Sequence, residues 1–543
     1  MPPHRLAYRP TVMGTRGVVT SAHFLASMAG VEMLLAGGNA VDAAVAVGST
    51  LNVVEPFMSG VGGIGLMLIS RARTGERHVL DFIGRSPIAS DPARCTEDEL
   101  AGGPKSCATP GNLGGWLTAH ARFGRMDRAA VLAPAIGHAE RGVPLSGKNV
   151  DFFEAARATL GRSREAERLY LGAFGSGGPR AGAVVRYKEL AATLRQVAEG
   201  GADAFYKGPI ARAIARAVVE SGGWLDEADL AAFSPEWREP VTVRYRDWDV
   251  FSMPPPFSAF QMLETLNILE GYDLRAFRHN SADYLHHLIE AIKLGSADRL
   301  AYAYKPDVPI KGLLSKAYAA SQRARIDARR AAVSEGERHK PEKLADQIAE
   351  GHPARFENEQ TTHFACADAE GTVVSVTQTL GVPFGSGFAV PGSGIVLNNI
   401  LKWMDRDPAS PNVLRPGRKA GTMMSPTQVF RDGAFVMSVG TPGSYGILQT
   451  TPQMLLNVLE FGMTIQEAIE AARVRVYGDR LVDGEARIAA DVRAELARRG
   501  HDVHVLDDWS WVVGGGQGIV RDPESGALTA GADPRRDGYA LAI

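Results

Sequence analysis

One segment, from Glu359 to Leu380, limits the fold of this chain more than any other. It reads Gln360-Thr361-Thr362-His363-Phe-Ala-Cys-Ala, then Asp368-Ala369-Glu370-Gly371, then Thr-Val-Val-Ser-Val-Thr-Gln-Thr379-Leu. Two strand-forming runs around an Asp/Gly turn mark an antiparallel hairpin. With the turn centred near 370, partner numbers sum to about 740, and Thr361 falls opposite Thr379. A threonine hydroxyl is weakly nucleophilic alone. A free α-amine on the same residue, with an ordinary pKa of about 8, can serve as its base. Cutting Gln360–Thr361 would create that amine, and Thr379 could hold the hydroxyl. The same residues also fit an ordinary hairpin, where threonine is common. Spacing alone leaves both readings open.

Around the hairpin the chain alternates helix and strand patterns. Apolar residues recur at helical spacing over 21–36, with Gly37-Gly38 beyond. A second helix starts at Asn39, a good N-cap, and carries Ala and Val to Val54; its small side chains fit close packing on a sheet. Helical patterns return at 281–303 and 449–475, and 501–543 reads as short strands and turns. Residues 315–358 are rich in charge and alanine, a solvated and mobile stretch, and 361–400 reads as strand. No internal repeat is present.

Composition excludes several classes. With 59 basic and 61 acidic residues the net charge is −2, so nucleic acid and anionic membranes are not expected partners. Hydrophobic content of 45% supports a large core rather than disorder. The length fits about two to four domains. The cysteines, Cys95, Cys107 and Cys366, form no CxxC pair, so neither a disulfide framework nor a zinc site is expected. No apolar run is long enough to span a membrane, and the first residues carry no apolar leader pattern, so the expected location is the cytoplasm.

Other motifs are weaker. Gly60-x-Gly62-x-x-Gly65 fits a dinucleotide fingerprint, but here glycines follow a helix and precede a strand, the reverse of what a phosphate needs. The better reading is a turn that lets backbone approach closely. His501-x-x-His504 and His286-His287 lack metal-ligand spacing, so packed or solvated histidines are expected, with no metal and no cofactor. Asp298-Arg299 reads as a structural ion pair and Cys366 as a small buried hydrophobe. Val439-Gly440-Thr441-Pro442-Gly443-Ser444-Tyr445-Gly446 follows an apolar strand. Its backbone N–H groups fit an oxyanion hole or a plain strand-to-helix turn.

Taken together, the motifs resemble the γ-glutamyltransferases (glutathione hydrolases), which are N-terminal nucleophile hydrolases. The resemblance is carried by Gly37-Gly38-Asn39-Ala40-Val41-Asp42-Ala43-Ala44, by Glu55-Pro56 with the glycine run, and by Thr109-Pro110-Gly111 through Pro134-Ala135. It continues through Pro254-Pro255-Pro256, Glu290-Ala291 with Ala297-Asp298-Arg299, and Gln360-Thr361-Thr362-His363. Leu397-Asn398-Asn399, Met424-Ser425-Pro426-Thr427 and Gly440-Thr441-Pro442-Gly443 complete it. It implies an α+β fold, a four-layer αββα sandwich. It implies a precursor cut between Gln360 and Thr361 into intertwined large (1–360) and small (361–543) subunits that share one body. Thr361 would then form an acyl-enzyme on a small amide substrate and pass the acyl group to water or an amine. Thr379, Gly443 and Ser444 would complete the catalytic set, with Ser444 standing where the family has a second glycine.

The substrate positions depart from the family. Its carboxylate-binding arginine is matched by Ile83, with Arg85 two residues on and on the same strand face. Gly381 stands for the family's asparagine, and Asn399 is retained. Ile400 and Trp403 replace a glutamine and an aspartate, and Thr422 and Met423 replace paired serines. Polar ligands for a glutamyl zwitterion are thus missing. The resemblance leaves two enzyme readings, a γ-glutamyl hydrolase/transferase or an amidohydrolase acting on another acyl group, like the oxamate amidohydrolases or cephalosporin (glutaryl) acylases. A reading of another class is an uncleaved relative that only binds a small molecule.

Overall fold

The hairpin strands, Gln360–Asp368 and Thr372–Gly381, lie at the middle of a seven-stranded sheet. The structure is a computed structural model that describes residues 7–332, 360–478 and 480–543. The order across this sheet is Tyr539–Ala542, Gly17–Ser21, Gln360–Asp368, Thr372–Gly381, Ile64–Arg71, Glu76–Asp81, Glu236–Arg238, all antiparallel. A second antiparallel sheet of seven strands runs Val12–Gly14, Leu528–Ala532, Gln517–Arg521, Ala434–Gly440, Thr427–Arg431, Trp248–Ser252, Val241–Tyr245. The sheets stack face to face, and helices cover both outer faces. This is the expected αββα sandwich. Strands from both sides of residue 360 interleave in each sheet, so the length-based count of several domains does not describe the chain.

The layers follow from side-chain size. Between the sheets, Val18, Ala365, Ala367, Ile519 and Ala530 form a thin core of small residues. The helix Ala40–Val54 is buried along its whole length and packs on the hairpin. Asn39 caps it: its Oδ1 accepts from the N–H groups of Val41 and Asp42, while Asp42 accepts from Asn39 N at 2.8 Å. The second sheet is covered by Phe260–Leu269, Ala282–Tyr302, Ile447–Leu459 and Ile465–Glu470.

Two expectations need correction. The pattern over 449–475 forms two helices, because Gly462 takes a positive φ of 62° between them. The strand reading over 361–400 ends at Gly381; beyond it the short strands Ala389–Val390 and Ile395–Val396 pair with each other and Leu397 bridges to Gly62, in a run of positive-φ glycines. The glycine run packs as read: a Cβ at Gly62 would lie 2.1 Å from the Val396 carbonyl oxygen, and one at Gly63 2.4 Å from that of Thr379. Of the stretch 315–358, Lys316–Arg323 is helical, and 333–359 lies outside the described residues. Among the described residues no helix is long and apolar enough to cross a membrane.

Candidate active site

The predicted register holds from Ala367↔Val373 to Thr362↔Gln378 and then slips, with Gln360 opposite Gly381. Thr361 therefore faces a bulge made by Thr379 and Leu380 rather than Thr379 alone. Thr379 Oγ1 accepts from Gly381 N at 2.8 Å, and Gly381 sits at φ 107°, which together absorb the extra residue. Ala365 and Ala367 point between the sheets, and strand alternation puts His363 and Thr361 on that same face.

His363 links this strand end to the second sheet. Its Nδ1 pairs with Thr377 Oγ1 at 2.9 Å, and its ring lies flat against Gly440, where a Cβ would come within 2.2 Å of Cε1. Burial pushes the imidazole down to about 3, so it is neutral at working pH. The Gly443–Ser444 turn begins three residues past that contact. Gly443 has φ 127° and Ser444 φ 55°, and the helix Ile447–Leu459 follows. The loop is braced by Gly515 N donating to Thr441 Oγ1 at 2.9 Å. The left-handed backbone at Ser444 explains why glycine suits this position.

On the opposite face of the strand Thr362 Oγ1 donates to Glu55 Oε2 at 3.2 Å. Glu55 caps the C-terminus of the helix Ala40–Val54. Burial pushes its carboxyl up to about 7 against the pull of Arg536. Arg536 Nη1 donates to the Thr361 carbonyl at 3.2 Å, and burial lowers its guanidinium to about 10. Sequence reading placed Glu55 only inside a motif and missed Arg536. The available signal was a doubled arginine flanked by Asp533 and Asp537 in an otherwise apolar C-terminal region.

The substrate candidates divide. A Cβ at Gly381 would fall 2.0 Å from Asn399 Oδ1, so these two lie together at the bulge. The Asn399 amide is held by the backbone: Oδ1 accepts from Val382 N at 3.1 Å and Nδ2 donates to Ala101 O at 2.8 Å. Thr422 and Met423 are buried, and Thr422 Oγ1 accepts from Met424 N at 3.2 Å. Arg85 stands apart. Its exposed side chain pairs with Glu236 at 2.8 Å and donates to Gly417 O at 3.0 Å. It lines a 540 Å³ cavity with Ile83, Thr109 and Lys419 that none of Thr361, Thr379, Gly443 or Ser444 reaches. Ile83 and Ile400 join one apolar cluster with Met424 and with Ile64, the cross-strand partner of Thr379; Trp403 packs on it.

The remaining motifs are structural. His286 Nδ1 and His501 Nε2 lie 2.8 Å apart beside Glu290, near enough to share an ion. However, Glu290 already accepts from Lys293 Nζ at 2.8 Å and Ala332 N at 3.0 Å, which puts an ammonium where a cation would compete. Asp298 and Arg299 do not pair with each other, because successive residues on a helix point apart. Asp298 accepts from Tyr318 and Gln322, while Arg299 bonds Gln261 at 2.8 Å and stacks on Tyr445. Cys95, Cys107 and Cys366 are free and buried.

Two facing antiparallel sheets between helices, with a threonine at an inner strand end, define the N-terminal nucleophile hydrolase architecture. The family model described as gamma-glutamyltranspeptidase matches residues 26–543, and the chain belongs to that family. It is 36% identical to the acylase ACY 1 proenzyme of Pseudomonas sp. (strain SE83), over 98% of this chain and 94% of the relative. It is 33% identical to the glutathione hydrolase proenzyme of Escherichia coli (strain K12), over 96% and 91%. The crystal structure of a cephalosporin acylase from Bacillus halodurans superposes with a TM-score of 0.89 at 32% identity, covering 100% of this chain and 98% of the other. Helicobacter pylori gamma-glutamyltranspeptidase superposes with a TM-score of 0.55 at 28% identity, over 62% of this chain and 99% of the other. The chain is thus an enzyme of a family that contains both glutathione hydrolases and acylases.

Proposed function

We propose that this chain cuts itself between Gln360 and Thr361 and then hydrolyses or transfers the acyl group of a small amide. Thr361 Oγ is the nucleophile, and its new α-amine takes the hydroxyl proton. Thr379 steadies the strand end, and the N–H groups at Gly443 and Ser444 receive the oxyanion. Residues 1–360 and 361–543 are the two subunits, interleaved as the sheets already interleave them. The observation that carries this reading is the placement of Thr361 on the inter-sheet face beside His363, whose ring packs on the glycine that opens the Gly443–Ser444 loop. The test is the intact mass of the purified protein beside Thr361→Ala. Two chains split at Gln360–Thr361 in the wild type and one inactive chain in the variant support it. A wild type that stays whole while folded favours the binding-only reading.

For the acyl group, the acylase reading fits this chain better than a γ-glutamyl substrate. Ile83, Ile400 and Trp403 build an apolar wall where a zwitterion would need charge, and Arg85 is committed to Glu236. The proposed substrates are amides whose acyl group lacks an α-ammonium and an α-carboxylate, with water or an amine as acceptor. Ile83→Arg with Trp403→Asp is expected to raise γ-glutamyl hydrolysis. Unchanged γ-glutamyl rates in the folded double variant would count against this wall as the specificity element. Free buried cysteines suit the reducing cytoplasm, the location that belongs with this proposal.

A further inference from the structure

Two buried ionisable side chains meet the strand end that would carry the new α-amine: Arg536 bonds the Thr361 carbonyl, and Glu55 bonds the hydroxyl of the next residue, Thr362. Arg536 comes from the turn between Leu528–Ala532 and Tyr539–Ala542, and Glu55 from the end of the helix Ala40–Val54. Arg536 is walled in by Phe152, by Met58 Sδ at 3.3 Å, and by Gly515, where a Cβ would lie 2.6 Å from its stem. Its guanidinium donates to the carbonyl of Thr361 itself.

We propose that Arg536 is a positioning residue that holds the Thr361 backbone and keeps the α-amine released by cleavage neutral, with Glu55 as the opposing charge. The proposal rests on cleavage at Gln360–Thr361. A residue's carbonyl oxygen lies within about 4 Å of its own nitrogen, so the donating guanidinium nitrogen, 3.2 Å from that oxygen, sits within roughly 7 Å of the amine. At that range a like charge disfavours the protonated form, and a buried setting strengthens the effect. The neutral amine accepts the Thr361 Oγ proton as the Oγ–C bond forms on the substrate carbonyl. It returns that proton to the leaving nitrogen as the C–N bond breaks, so no other reactant is needed.

Among the described residues the charges around the pair are few. Glu55 faces Arg536, Asp537 and the Thr362 hydroxyl; Arg536 faces Glu55 and Asp533. Asp537 is itself bonded to Ser146. Glu55 carries its charge above about 7, and there it partly offsets the arginine. The two residues therefore act on the amine with opposite signs, which a purely structural role would not do.

The test is competitive acetylation of the matured full-length protein with acetic anhydride across pH, read from the peptide that begins at Thr361. The wild-type midpoint is expected below the ordinary ~8 of an α-amine. Arg536→Met raises it by about one unit, and Glu55→Gln lowers it by about half a unit. Arg536→Lys keeps the charge and stays within about 0.3 of wild type. Should Arg536→Met not fold, the other two variants decide. Midpoints that coincide in Glu55→Gln and wild type, or move the same way in Arg536→Met and Glu55→Gln, overturn the proposal. Cleaved chains with unmoved midpoints remove this proposal alone and leave Thr361 as the nucleophile. A wild type that never yields a Thr361 terminus removes both.

Discussion

The two ends of one hairpin are built by different means. At the turn, the shape is set locally: Asp368 Oδ1 accepts from the N–H groups of Glu370 and Thr372 at 3.0 Å, and Gly371 takes φ 77°. Distant groups then join it: Ala40 N lies 2.9 Å from Asp368 Oδ2, where a carboxylate meets a helix N-terminus, Ala72 N donates to the Gly371 carbonyl at 3.1 Å, and Arg125 pairs with Glu370. At the Thr361 end almost nothing is local. Glu55 with Met58, Gly440 and Arg536 reach it from three separate segments. The turn is set by residue preference and fixes register. The Thr361 end, which carries the proposed nucleophile, is set by the completed fold.

The largest test of that contrast is a pH effect. Folding moves the Glu55 carboxyl from an ordinary 4.5 to about 7. Between those values the folded chain holds a proton that the unfolded chain has lost. Stability therefore falls as pH rises through the window, by about 3 kcal/mol from this group. Glu55→Gln keeps the shape and removes the slope, so its advantage over wild type grows from pH 4.5 to 7 in denaturant unfolding. A constant difference across that range would show that the buried carboxyl carries no such cost.

Gly440→Ala comes next. Its methyl would meet the His363 ring, which is pinned by Thr377, and overpacking of this kind costs about 1–3 kcal/mol. Because the contact sets the loop against the strand, self-cleavage should slow as well, read from the fraction of intact chain by mass. Full cleavage at wild-type rate would separate the loop from the nucleophile and break the comparison. At the turn, Asp368→Asn turns an acceptor toward Ala40 N into a donor and should cost about 1–2 kcal/mol. Cleavage should persist, since the turn is remote from Thr361. Blocked cleavage in a folded Asp368→Asn protein would show that the two ends are coupled.

This division explains what the sequence revealed. The hairpin, its 362–367 register, the capped helix from Asn39 and the close-packed glycines were legible, because each rests on neighbours in sequence or on a residue's own conformational range. The bulge was not, because it depends on Thr379 bonding Gly381 and on Asn399 filling the space beside that glycine. Arg85 was expected inward from strand alternation, but the chain leaves the sheet at Asp81, and an exposed ion pair to Glu236 holds the side chain. Arg536 offered only a doubled arginine between Asp533 and Asp537, and nothing in that pattern pointed to Thr361. A charge is silent in sequence until the fold says what it is buried against.

Ser444 gives the smallest and most local effect at the chemical end. A non-glycine residue at φ 55° is strained by roughly 1 kcal/mol, while glycine adds unfolded-state entropy of similar size. Ser444→Gly should therefore change stability by less than about 1 kcal/mol, with a small gain if strain outweighs the rest. Thermal unfolding of the mature protein measures the sign. A gain would mark Ser444 as a residue kept in spite of its backbone. A loss would mean that its hydroxyl braces the loop, adding one short-range element to an end otherwise assembled from afar.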